Sequence, residues 1–385
     1  MNNFTLWNPT RIHFGQGQVQ RLRDEIPLKS KVLLLYGGGS VKKNGVYEAV
    51  RSALADYDVL EFSGIEPNPT FETLMKAVEM VRKEKIDFLL AVGGGSVIDG
   101  TKFVSVAAPF EGDEWSIVSE AVDTKGCKLP FGTVLTLPAT GSEMNRASVV
   151  TRKATKEKRG FMHNDLFPQF SILDPTYTYS LPQEQIANGV VDAFVHVTEQ
   201  YLTYPANAPL QDRFAESLLT TLIEEGPKAL ALPQDYDIRA NIMWCATMAL
   251  NGVIGCGVPQ DWATHMIGHE LTAEFGLAHG TTLAIILPST LRVMGKEKKD
   301  KLLQYARRVW QIEGDDESKV IAEAIDKTQS FFEAMGIRTQ MSYYGIKRQD
   351  ISTMMERLQK KGFDQLGEHQ NIDLKKSQQI FEASL

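Results

Sequence analysis

Two short apolar runs, each followed by the same Gly-Gly-Gly-Ser turn, are the feature of this sequence that most restricts its fold. Residues 32–36 (VLLLY) precede the first turn, and residues 88–92 (FLLAV) precede the second. Apolar residues at helical spacing follow each turn, and residues 57–62 form another strand-sized run between them. Strands that alternate with helices in this way predict a parallel sheet with crossover helices, in which ligands bind beyond the carboxyl ends of the strands.

The two glycine-rich turns predict a phosphate-binding edge of this sheet. A turn without side chains lets phosphate oxygens approach backbone N–H groups, and a helix N-terminus after it adds a favourable dipole. Neither turn has the usual dinucleotide or P-loop spacing, so one copy alone would indicate only a tight strand-to-helix turn. Two copies in one sheet favour a long phosphorylated ligand such as a dinucleotide. The hydroxyl-rich loop at residues 136–145 (TLPATGSEMN) follows another strand candidate and extends this edge.

The residues after the first apolar run bear on which dinucleotide is bound. An acidic residue at the end of such a strand accepts a hydrogen bond from a ribose 2′-OH and repels a 2′-phosphate. No acid directly follows this strand, and Ser40, Lys42 and Lys43 are close to its end instead. We therefore expect NADP, with NAD as the alternative, since two lysines are also typical of a solvated helix face.

Most of the histidine in this chain lies in one stretch. Of its seven histidines, four lie between residues 188 and 280 together with Asp192; they are His196, His265, His269 and His279. Asp192 and His196 have helical spacing, which places both side chains on one helix face, and His265 and His269 repeat that spacing. A single such pair is usually a hydrogen-bonded or surface pair, but two pairs and a third histidine indicate a metal site. One carboxylate and three imidazoles suit zinc or ferrous iron better than magnesium or calcium.

The character of the sequence changes after Leu181-Pro182. Helical periodicity then continues to the end, with breaks at Gly and Pro and almost no strand patterns. The length of 385 residues also fits two domains. We predict an α/β dinucleotide-binding domain over residues 1–181 and an all-helical metal-binding domain over residues 182–385. Residues 4–14 predict a hairpin or edge strand, and the basic residues 153–163 predict an exposed turn or a phosphate contact.

Composition excludes several classes of partner. A net charge of -7 argues against nucleic acid or an anionic membrane. No apolar run is long enough to span a bilayer, and residues 1–14 lack the basic start and apolar core of a signal peptide. Cys127, Cys245 and Cys256 form no CxxC pair, which predicts packing roles in a reducing compartment. We therefore expect a cytoplasmic protein that acts on a small molecule.

Several long motifs, in this order along essentially the whole chain, resemble the iron-containing, group III alcohol dehydrogenases. They are GGGSVID (93–99), TLPATGSE (136–143), NGVVDAFVH (188–196) and HMIGHELTAEFGLAHG (265–280). The segments YGGGSVKKNGVYE, FSGIEPNP and GVPQDWATHMIGHEL resemble the NADPH-dependent aldehyde reductase and butanol dehydrogenase branch. The resemblance implies a dinucleotide-binding (Rossmann-like) α/β domain, an all-α domain, a metal in the cleft between them, and a homodimer. Related proteins with this turn are also described as NADH-dependent, which keeps NAD as the alternative.

Residue by residue, the resemblance implies a complete metal site and a complete cofactor site. The implied metal ligands are Asp192, His196, His265 and His279, and His269 is the family's non-ligand histidine near the nicotinamide. The implied pyrophosphate and ribose loop consists of Gly94, Gly95, Ser96 and Asp99. The implied adenosine end consists of Gly37, Gly38, Gly39, Ser40 and Asn68. The remaining implied cofactor contacts are Thr136, Thr140 and Lys158.

The predicted reaction is hydride transfer between NAD(P)H and a small aldehyde or primary alcohol. The metal, Fe²⁺ or Zn²⁺, would polarise the aldehyde carbonyl or stabilise the alkoxide, a contribution of roughly several kcal/mol. His269 is a candidate proton relay to the alkoxide, since imidazole titrates near neutral pH. Trp262 and Met144 are candidate walls of the substrate pocket, although core packing is the more common role of such residues.

Three other functions share parts of this pattern. A glycerol or polyol dehydrogenase that uses NAD has the same architecture, but the adenosine-end motifs fit the aldehyde-reducing branch better. A dehydroquinate-synthase-like lyase needs basic residues around its metal, and the motifs at 188–200 and 260–280 hold almost none. A non-catalytic metal-binding protein would explain the histidines but not the two phosphate turns.

Overall fold

The chain forms two compact units. The computed structural model describes residues 1–120, 122–124, 126 and 128–385. The α/β unit comprises Trp7–Leu181 and Gln234–Thr247, and the helical unit comprises Met1–Leu6, Pro182–Pro233 and Met248–Leu385. Two segments, Met1–Leu6 and Gln234–Thr247, thus group differently from the predicted division at 181/182. That these two parts are separate functional domains stays a prediction.

Local contacts explain both exceptions. The Met1 amino group hydrogen-bonds to the Ala206 carbonyl, and the Asn2 N–H donates to the Gly257 carbonyl, so the first residues belong with the helical unit. Met243 packs into an apolar core of the parallel sheet, which groups its helix with the α/β unit. Contacts of this kind join residues far apart in sequence, and no local pattern predicts them.

The α/β unit is built on one six-stranded parallel sheet, as predicted. Its strands are β1 (Arg11–Phe14), β2 (Lys31–Tyr36), β3 (Asp58–Phe62), β4 (Phe88–Gly94), β5 (Phe131–Leu137) and β8 (Phe170–Leu173), in the order β1-β8-β5-β4-β2-β3. Every neighbouring pair in this order is parallel. β1 is an edge strand, and because it pairs in parallel with β8 it is not part of the alternative hairpin.

Both faces of this sheet are buried under helices. Within β2, Leu33 and Leu35 belong to one apolar core, and Val32 and Leu34 belong to the other. Between Trp7 and Leu181 the helices of this unit are α1 (Leu22–Glu25), α2 (Val46–Ala53), α3 (Phe71–Glu84), α4 (Gly95–Ala107) and α5 (Ser116–Ser119). A parallel sheet that is covered on both faces needs strands that are apolar almost throughout, which explains the continuous runs in the sequence.

The strand order reverses between β2 and β4. From β2 the chain moves outward to β3, whereas β4 lies on the other side of β2 and leads to β5. Open sheets bind ligands at such a reversal, beyond the carboxyl ends of the strands. The second Gly-rich turn leads directly into α4, but the first leads into a 3-10 turn at Ser40–Lys42. Of the two Gly-rich turns, only the second is therefore followed by an α-helix whose dipole favours a bound phosphate.

The basic stretch at 153–163 is one arm of a hairpin. Strands β6 (Ala147–Arg152) and β7 (Glu157–Met162) pair antiparallel and are joined by residues 153–156. Lys158 lies in β7 and is buried. The turn that was predicted here is thus confined to the four connecting residues, and a phosphate contact by this stretch stays a prediction.

The remaining chain is helical, as predicted, apart from one very small sheet. Its helices are α6 (Gln183–Tyr201), α7 (Pro209–Ala231), α8 (Tyr236–Ala249), α9 (Ala263–Phe275), α10 (His279–Val293), α11 (Lys299–Arg308), α12 (Glu317–Ala334), α13 (Ile351–Lys360) and α14 (Leu374–Ala383). Two antiparallel strands of two residues each, β9 (Gln365–Leu366) and β10 (Ile372–Asp373), form the exception.

Two predictions from composition are also addressed by the structure. Among the described residues, no helix combines the length and the apolar character that a bilayer span requires. Cys245 and Cys256 are buried, as packing roles require, whereas Cys127 lies outside the described residues.

Candidate functional site

The centre of the candidate metal site is a buried carboxylate on α6. Asp192 and His196 lie one helical turn apart on this helix, and both side chains are almost completely buried. Residues 186–201 of α6 are all buried, so the helix is surrounded by protein along this whole stretch. A carboxylate in such a position is costly unless it is paired or binds a cation.

The three imidazoles predicted from the sequence meet at this carboxylate. The Nε2 atoms of His196 and His279 are each 3.6 Å from Asp192 Oδ1, and that of His265 is 3.9 Å away. Candidate ligand atoms of Asp192, His265 and His279 all lie within 4.8 Å of one another. His196 completes the set through its contact with Asp192 and through its ring, which stacks on that of His265 with centroids 4.7 Å apart.

A close crossing of two helices brings His279 to the site. His279 is the first residue of α10, and Gly280 beside it packs against α6 at Asn188. A Cβ atom on Gly280 would lie 2.4 Å from the Asn188 carbonyl oxygen, so only glycine fits this crossing. The Thr281 hydroxyl donates to Asn188 Oδ1 at 3.0 Å and fixes the same contact. The glycine that follows His279 therefore has a packing role.

The ionisation of the cluster follows from burial and mutual charge. Burial alone raises the pKa of Asp192, but the neighbouring histidines outweigh it and hold the pKa of this carboxyl well below its usual range. Burial lowers the pKa of His196 to about 4, although Asp192 opposes this shift. Burial also disfavours charge on His265, yet Glu199 and Asp192 raise its pKa to about 9. Asp192 and His196 therefore have at neutral pH the forms that bind metals, whereas His265 carries an additional proton that a bound metal would displace.

The polar atoms of the cluster fit a bound cation. In the described part of the chain, Asp192 Oδ1 and His265 Nε2 are buried and have no hydrogen-bond partner. Buried polar atoms in folded proteins almost always have a partner, so their convergence needs an explanation. A divalent cation with one carboxylate and three imidazole ligands provides it, and this donor set suits Zn²⁺ or Fe²⁺. The residues present thus fit the predicted group.

Two aromatic side chains and one further carboxylate surround the imidazoles. The half-buried His269 ring lies 5.3 Å from that of His279, between centroids. The half-buried Trp262 ring lies 5.4 Å from that of His265, which favours a position at the site over pure core packing. Glu199, which sequence reasoning missed, contacts His265 Nδ1. Its spacing of seven residues from Asp192 on the same helix is the signal that identifies it.

The predicted cofactor residues of the α/β unit lie mainly at the carboxyl ends of neighbouring strands. Gly37–Ser40 follow β2, and Gly94–Ser96 and Asp99 lie at the end of β4 and in α4. Thr136 lies near the end of β5 and Thr140 in the loop after it, whereas Asn68 comes from a loop and Lys158 from β7. Lys158 Nζ donates to Asn68 Oδ1 at 2.8 Å, and the Asn68 N–H donates to Ser96 Oγ at 3.3 Å. A Cβ atom on Gly95 would lie 2.4 Å from Thr140 Oγ1. The structure thus joins the second turn to the hydroxyl-rich loop.

Two buried residues of α4 hold the hydroxyl-rich loop and the strand after it. They are Asp99 and Lys102, and the sequence analysis did not identify Lys102. Asp99 is buried and accepts hydrogen bonds from Ser142 Oγ at 2.6 Å and from the Val149 N–H at 2.9 Å. Lys102 Nζ donates to Asn145 Oδ1 at 2.9 Å and to the Ala147 carbonyl at 2.7 Å. Burial lowers the pKa of Lys102 to about 8 and raises that of Asp99. Both oxygens of Asp99 thus accept from protein groups, which favours a supporting role over the predicted ribose contact.

An acidic residue on the strand beside β2 lies close to the lysine that favoured NADP. Glu61 lies in β3, where Tyr36 donates to it at 2.8 Å and Lys42 Nζ donates to it at 3.0 Å. The Tyr47 hydroxyl donates to the same carboxylate. Because β3 pairs with β2, the end of the first strand has an acidic neighbour that the linear sequence does not reveal.

Two features together define the class of this protein. One is the parallel sheet with glycine-rich turns where its strand order reverses, and the other is the buried Asp–His cluster. They are typical of a dinucleotide-dependent oxidoreductase with a metal centre. The chain belongs to the iron-containing alcohol dehydrogenases. Residues 9–175 match the family described as iron-containing alcohol dehydrogenase, and residues 186–385 match the family described as Fe-containing alcohol dehydrogenase family, C-terminal.

The chain is similar over its whole length to several characterised or solved relatives. It is 55% identical to the NADPH-dependent aldehyde reductase YqhD of Escherichia coli K12, with 100% of each chain covered. It is 42% identical to the probable NADH-dependent butanol dehydrogenase 1 of Bacillus subtilis, again over 100% of both. The crystal structure of NADH-dependent butanol dehydrogenase A from Thermotoga maritima superposes with a TM-score of 0.95 at 34% identity, covering 100% of this chain and 99% of that one.

These comparisons confirm the family and the aldehyde reductase and butanol dehydrogenase branch that the motifs predicted. They also confirm the α/β-plus-helical fold class and an oxidoreductase of the alcohol dehydrogenase type. The roles of the individual site residues, from the ligands Asp192, His196, His265 and His279 to the cofactor loops, stay predictions.

Proposed function

We propose that this protein is a metal-dependent aldehyde reductase that transfers a hydride from NADPH to small aldehydes and catalyses the reverse oxidation of primary alcohols. The observation that carries the proposal is the approach of three histidine Nε2 atoms to within 3.9 Å of one buried Asp192 oxygen. The NADPH-dependent aldehyde reductase of Escherichia coli, 55% identical over the full length, supports this substrate class and cofactor.

The roles of the residues follow from their chemistry. When bound, the metal polarises the aldehyde carbonyl, and the nicotinamide supplies the hydride. Asp192, His196, His265 and His279 hold the metal. The Gly-rich turns and the hydroxyl-rich loop bind the cofactor through backbone N–H groups and hydroxyls. Trp262 forms an apolar wall beside the imidazoles, and such walls discriminate chain length by only about 1–3 kcal/mol per methylene, so a broad range of aldehydes is expected.

NADP is the proposed cofactor, with NAD as the alternative. Two observations support NADP: Ser40, Lys42 and Lys43 follow the first strand, and the 55% identical relative is NADPH-dependent. Glu61 and the relatives described as NADH-dependent, including one at 42% identity, support NAD. The lysine that pairs with Glu61 is exposed, and so it is free to approach a 2′-phosphate when the ion pair opens.

The function is tested by the initial rate of butanal reduction with NADPH and, separately, with NADH. Chelator-treated enzyme is assayed before and after addition of Zn²⁺ or anaerobic Fe²⁺. We expect activity that requires metal and prefers NADPH. A preference for NADH would keep the metal site and reject the cofactor proposal. No aldehyde reduction by metal-loaded enzyme, combined with NAD-dependent oxidation of glycerol, would replace the proposal with a polyol dehydrogenase.

His269 is the proposed proton relay to the product alkoxide. Its half-buried ring lies beside that of His279, one of the proposed metal ligands, with centroids 5.3 Å apart. Removing a positioned general acid typically costs about 10²–10⁴-fold in rate. We therefore expect His269→Ala to lower kcat by about 10²-fold or more, with bound metal unchanged and partial recovery when imidazole is added. A variant with wild-type kcat would exclude the relay.

We further propose a homodimer with a cytoplasmic location. The outer edge of β1 is at the end of the parallel sheet, and Trp7, Phe14 and Trp244 are exposed large apolar side chains of the same α/β unit. The Phe14 and Trp244 rings contact each other edge to face at 5.8 Å. An exposed edge strand with apolar neighbours supports association with a second copy. The low cysteine content supports a reducing compartment.

A further inference from the structure

We infer that Glu199 is a positioning residue of the metal centre, which holds the His265 ring so that Nε2 is presented to the metal. The inference rests on the proposed metal site, and it concerns a residue that does not itself contact the metal. The Glu199 side chain is 2% exposed and contacts His265 Nδ1 through Oε2. The same ring places its other nitrogen 3.9 Å from Asp192 Oδ1.

Glu199 lies on the same face of α6 as two predicted ligands. It follows His196 by three residues and Asp192 by seven, and these spacings bring side chains to one side of a helix. One helix face therefore presents two groups to the metal and a third to a ligand on another helix. His265 faces Glu199 through Nδ1 and Asp192 through Nε2, so its ring lies between the two carboxylates.

The start of α9 is fixed by Glu199 at three points. Its Oε1 accepts a hydrogen bond from the Thr264 N–H at 2.6 Å, and its backbone carbonyl accepts from the Asp261 N–H at 2.8 Å. Its Oε2 contacts His265 in the first turn of that helix. Neither the backbone nor the ring of His265 is therefore free to shift without breaking a buried contact of Glu199.

The chemical consequence concerns the tautomer of His265. A carboxylate is an acceptor, so the imidazole beside it keeps its proton on Nδ1 when a metal takes the place of the proton on Nε2. Partners of this kind orient metal-binding histidines, and their mutation typically costs about 10–100-fold in metal affinity. His196 differs, because within the described residues its buried Nδ1 has no hydrogen-bond partner. Glu199 thus fixes the tautomer of His265.

The substitution Glu199→Gln tests this role with almost no change in volume. Two N–H donors point at the carboxylate, one from Thr264 and one from His265, and a glutamine side chain has one acceptor oxygen. Its NH₂ group would face one of the two donors. We expect Zn²⁺ to bind Glu199→Gln about 10–100-fold more weakly than the wild type. Glu199→Asp keeps both acceptor oxygens, and we expect an intermediate loss.

Glu270→Gln is the matched control. Glu270 is a fully buried carboxylate on α9 itself, and it accepts hydrogen bonds from Arg357 at 2.8 Å and from Lys361 at 2.5 Å. Both substitutions neutralise a buried carboxylate and are expected to lower the melting temperature. Only Glu199→Gln is expected to weaken Zn²⁺ binding. If Zn²⁺ affinity fell equally in both variants, Glu199 would contribute to stability only and would not position His265.

The experiment is a Zn²⁺ titration of chelator-treated full-length protein against a chromophoric competitor, with a long-range ¹H–¹⁵N histidine spectrum of the Zn²⁺ form. We expect His265 of the wild type to carry its proton on Nδ1. An Nε2-protonated His265, or an unchanged Zn²⁺ affinity in Glu199→Gln, would overturn the inference. The wild-type spectrum decides the matter even where Glu199→Gln fails to fold. If Zn²⁺ binds tightly and this binding depends on Glu199, but no aldehyde is reduced, the proposed function is rejected and the role of Glu199 stands. If the wild type binds no Zn²⁺, both the proposed function and the role of Glu199 are rejected.

Discussion

Replacing Asp192 by alanine is expected to lower kcat/KM for aldehyde reduction by about a thousandfold or more, because the metal is lost. Asp192 is the anionic member of the cluster, and its Oδ1 is the atom to which all three imidazoles converge. Metal polarisation of a carbonyl contributes several kcal/mol, and every 1.36 kcal/mol corresponds to about a factor of ten in rate. The measurement is kcat/KM for butanal together with the metal content of the purified variant.

A surface aspartate of the same unit provides the control for this substitution. Asp326 is 68% exposed and pairs with Arg292 at 2.8 Å, and exposed pairs of this kind contribute about 0–1 kcal/mol to stability. We expect Asp326→Ala to keep its metal and its rate. If Asp192→Ala retained both stoichiometric metal and wild-type kcat/KM, the four-residue site would be wrong, whatever the family of the protein.

The periodicity of the sequence was sufficient to predict the sheet and the helices of this protein. The apolar runs at 32–36 and 88–92 are strands of the parallel sheet, and the helical periodicity after Pro182 corresponds to helices α6 to α14. The metal cluster was equally accessible, because the pairs Asp192/His196 and His265/His269 have helical spacing, and the two members of each pair must share a helix face. Local pattern therefore defines which residues can act together on one element.

Contacts between elements were not accessible in the same way. Glu61 reaches Lys42 from a neighbouring strand, and Lys102 reaches Asn145 from α4. Glu199 reaches His265 across 66 residues of chain. None of these three residues stands in a motif of unusual composition, and each acquires its role from tertiary packing. The segment Gln234–Thr247 belongs with the α/β unit for the same reason.

Such contacts also explain why the residues that follow β2 do not by themselves indicate whether NADP or NAD is bound. The absence of an acid after β2 is a fact of the linear sequence, but β3 lies beside β2 in parallel register, with Leu34 opposite Glu61. Glu61, the penultimate residue of β3, thus comes close to the turn that follows the neighbouring strand β2. Specificity for NADP or NAD depends on this pair of strands together, and an argument from one strand alone is insufficient.

Replacing Gly280 by alanine is expected to disrupt the metal site although this residue bears no side chain. The added Cβ would lie 2.4 Å from the Asn188 carbonyl oxygen and 2.7 Å from the Asn188 Cα, which are backbone atoms and cannot rotate away. Either α10 or α6 must shift, and overpacking of this kind typically costs about 1–3 kcal/mol of unfolding free energy. Because His279 precedes Gly280 directly, the shift also moves a predicted ligand relative to Asp192.

We expect Gly280→Ala to lower the melting temperature and to bind Zn²⁺ at least about tenfold more weakly than the wild type, as expected when a ligand is displaced. Gly295→Ala is the matched control at the other end of α10, where a Cβ atom would meet its nearest neighbours, two carbonyl oxygens, at an ordinary 3.4 Å. Calorimetry and Zn²⁺ titration of both variants separate the two effects. A Gly280→Ala protein that is less stable but binds Zn²⁺ like the wild type would show that the helix crossing contributes to folding without setting the position of His279.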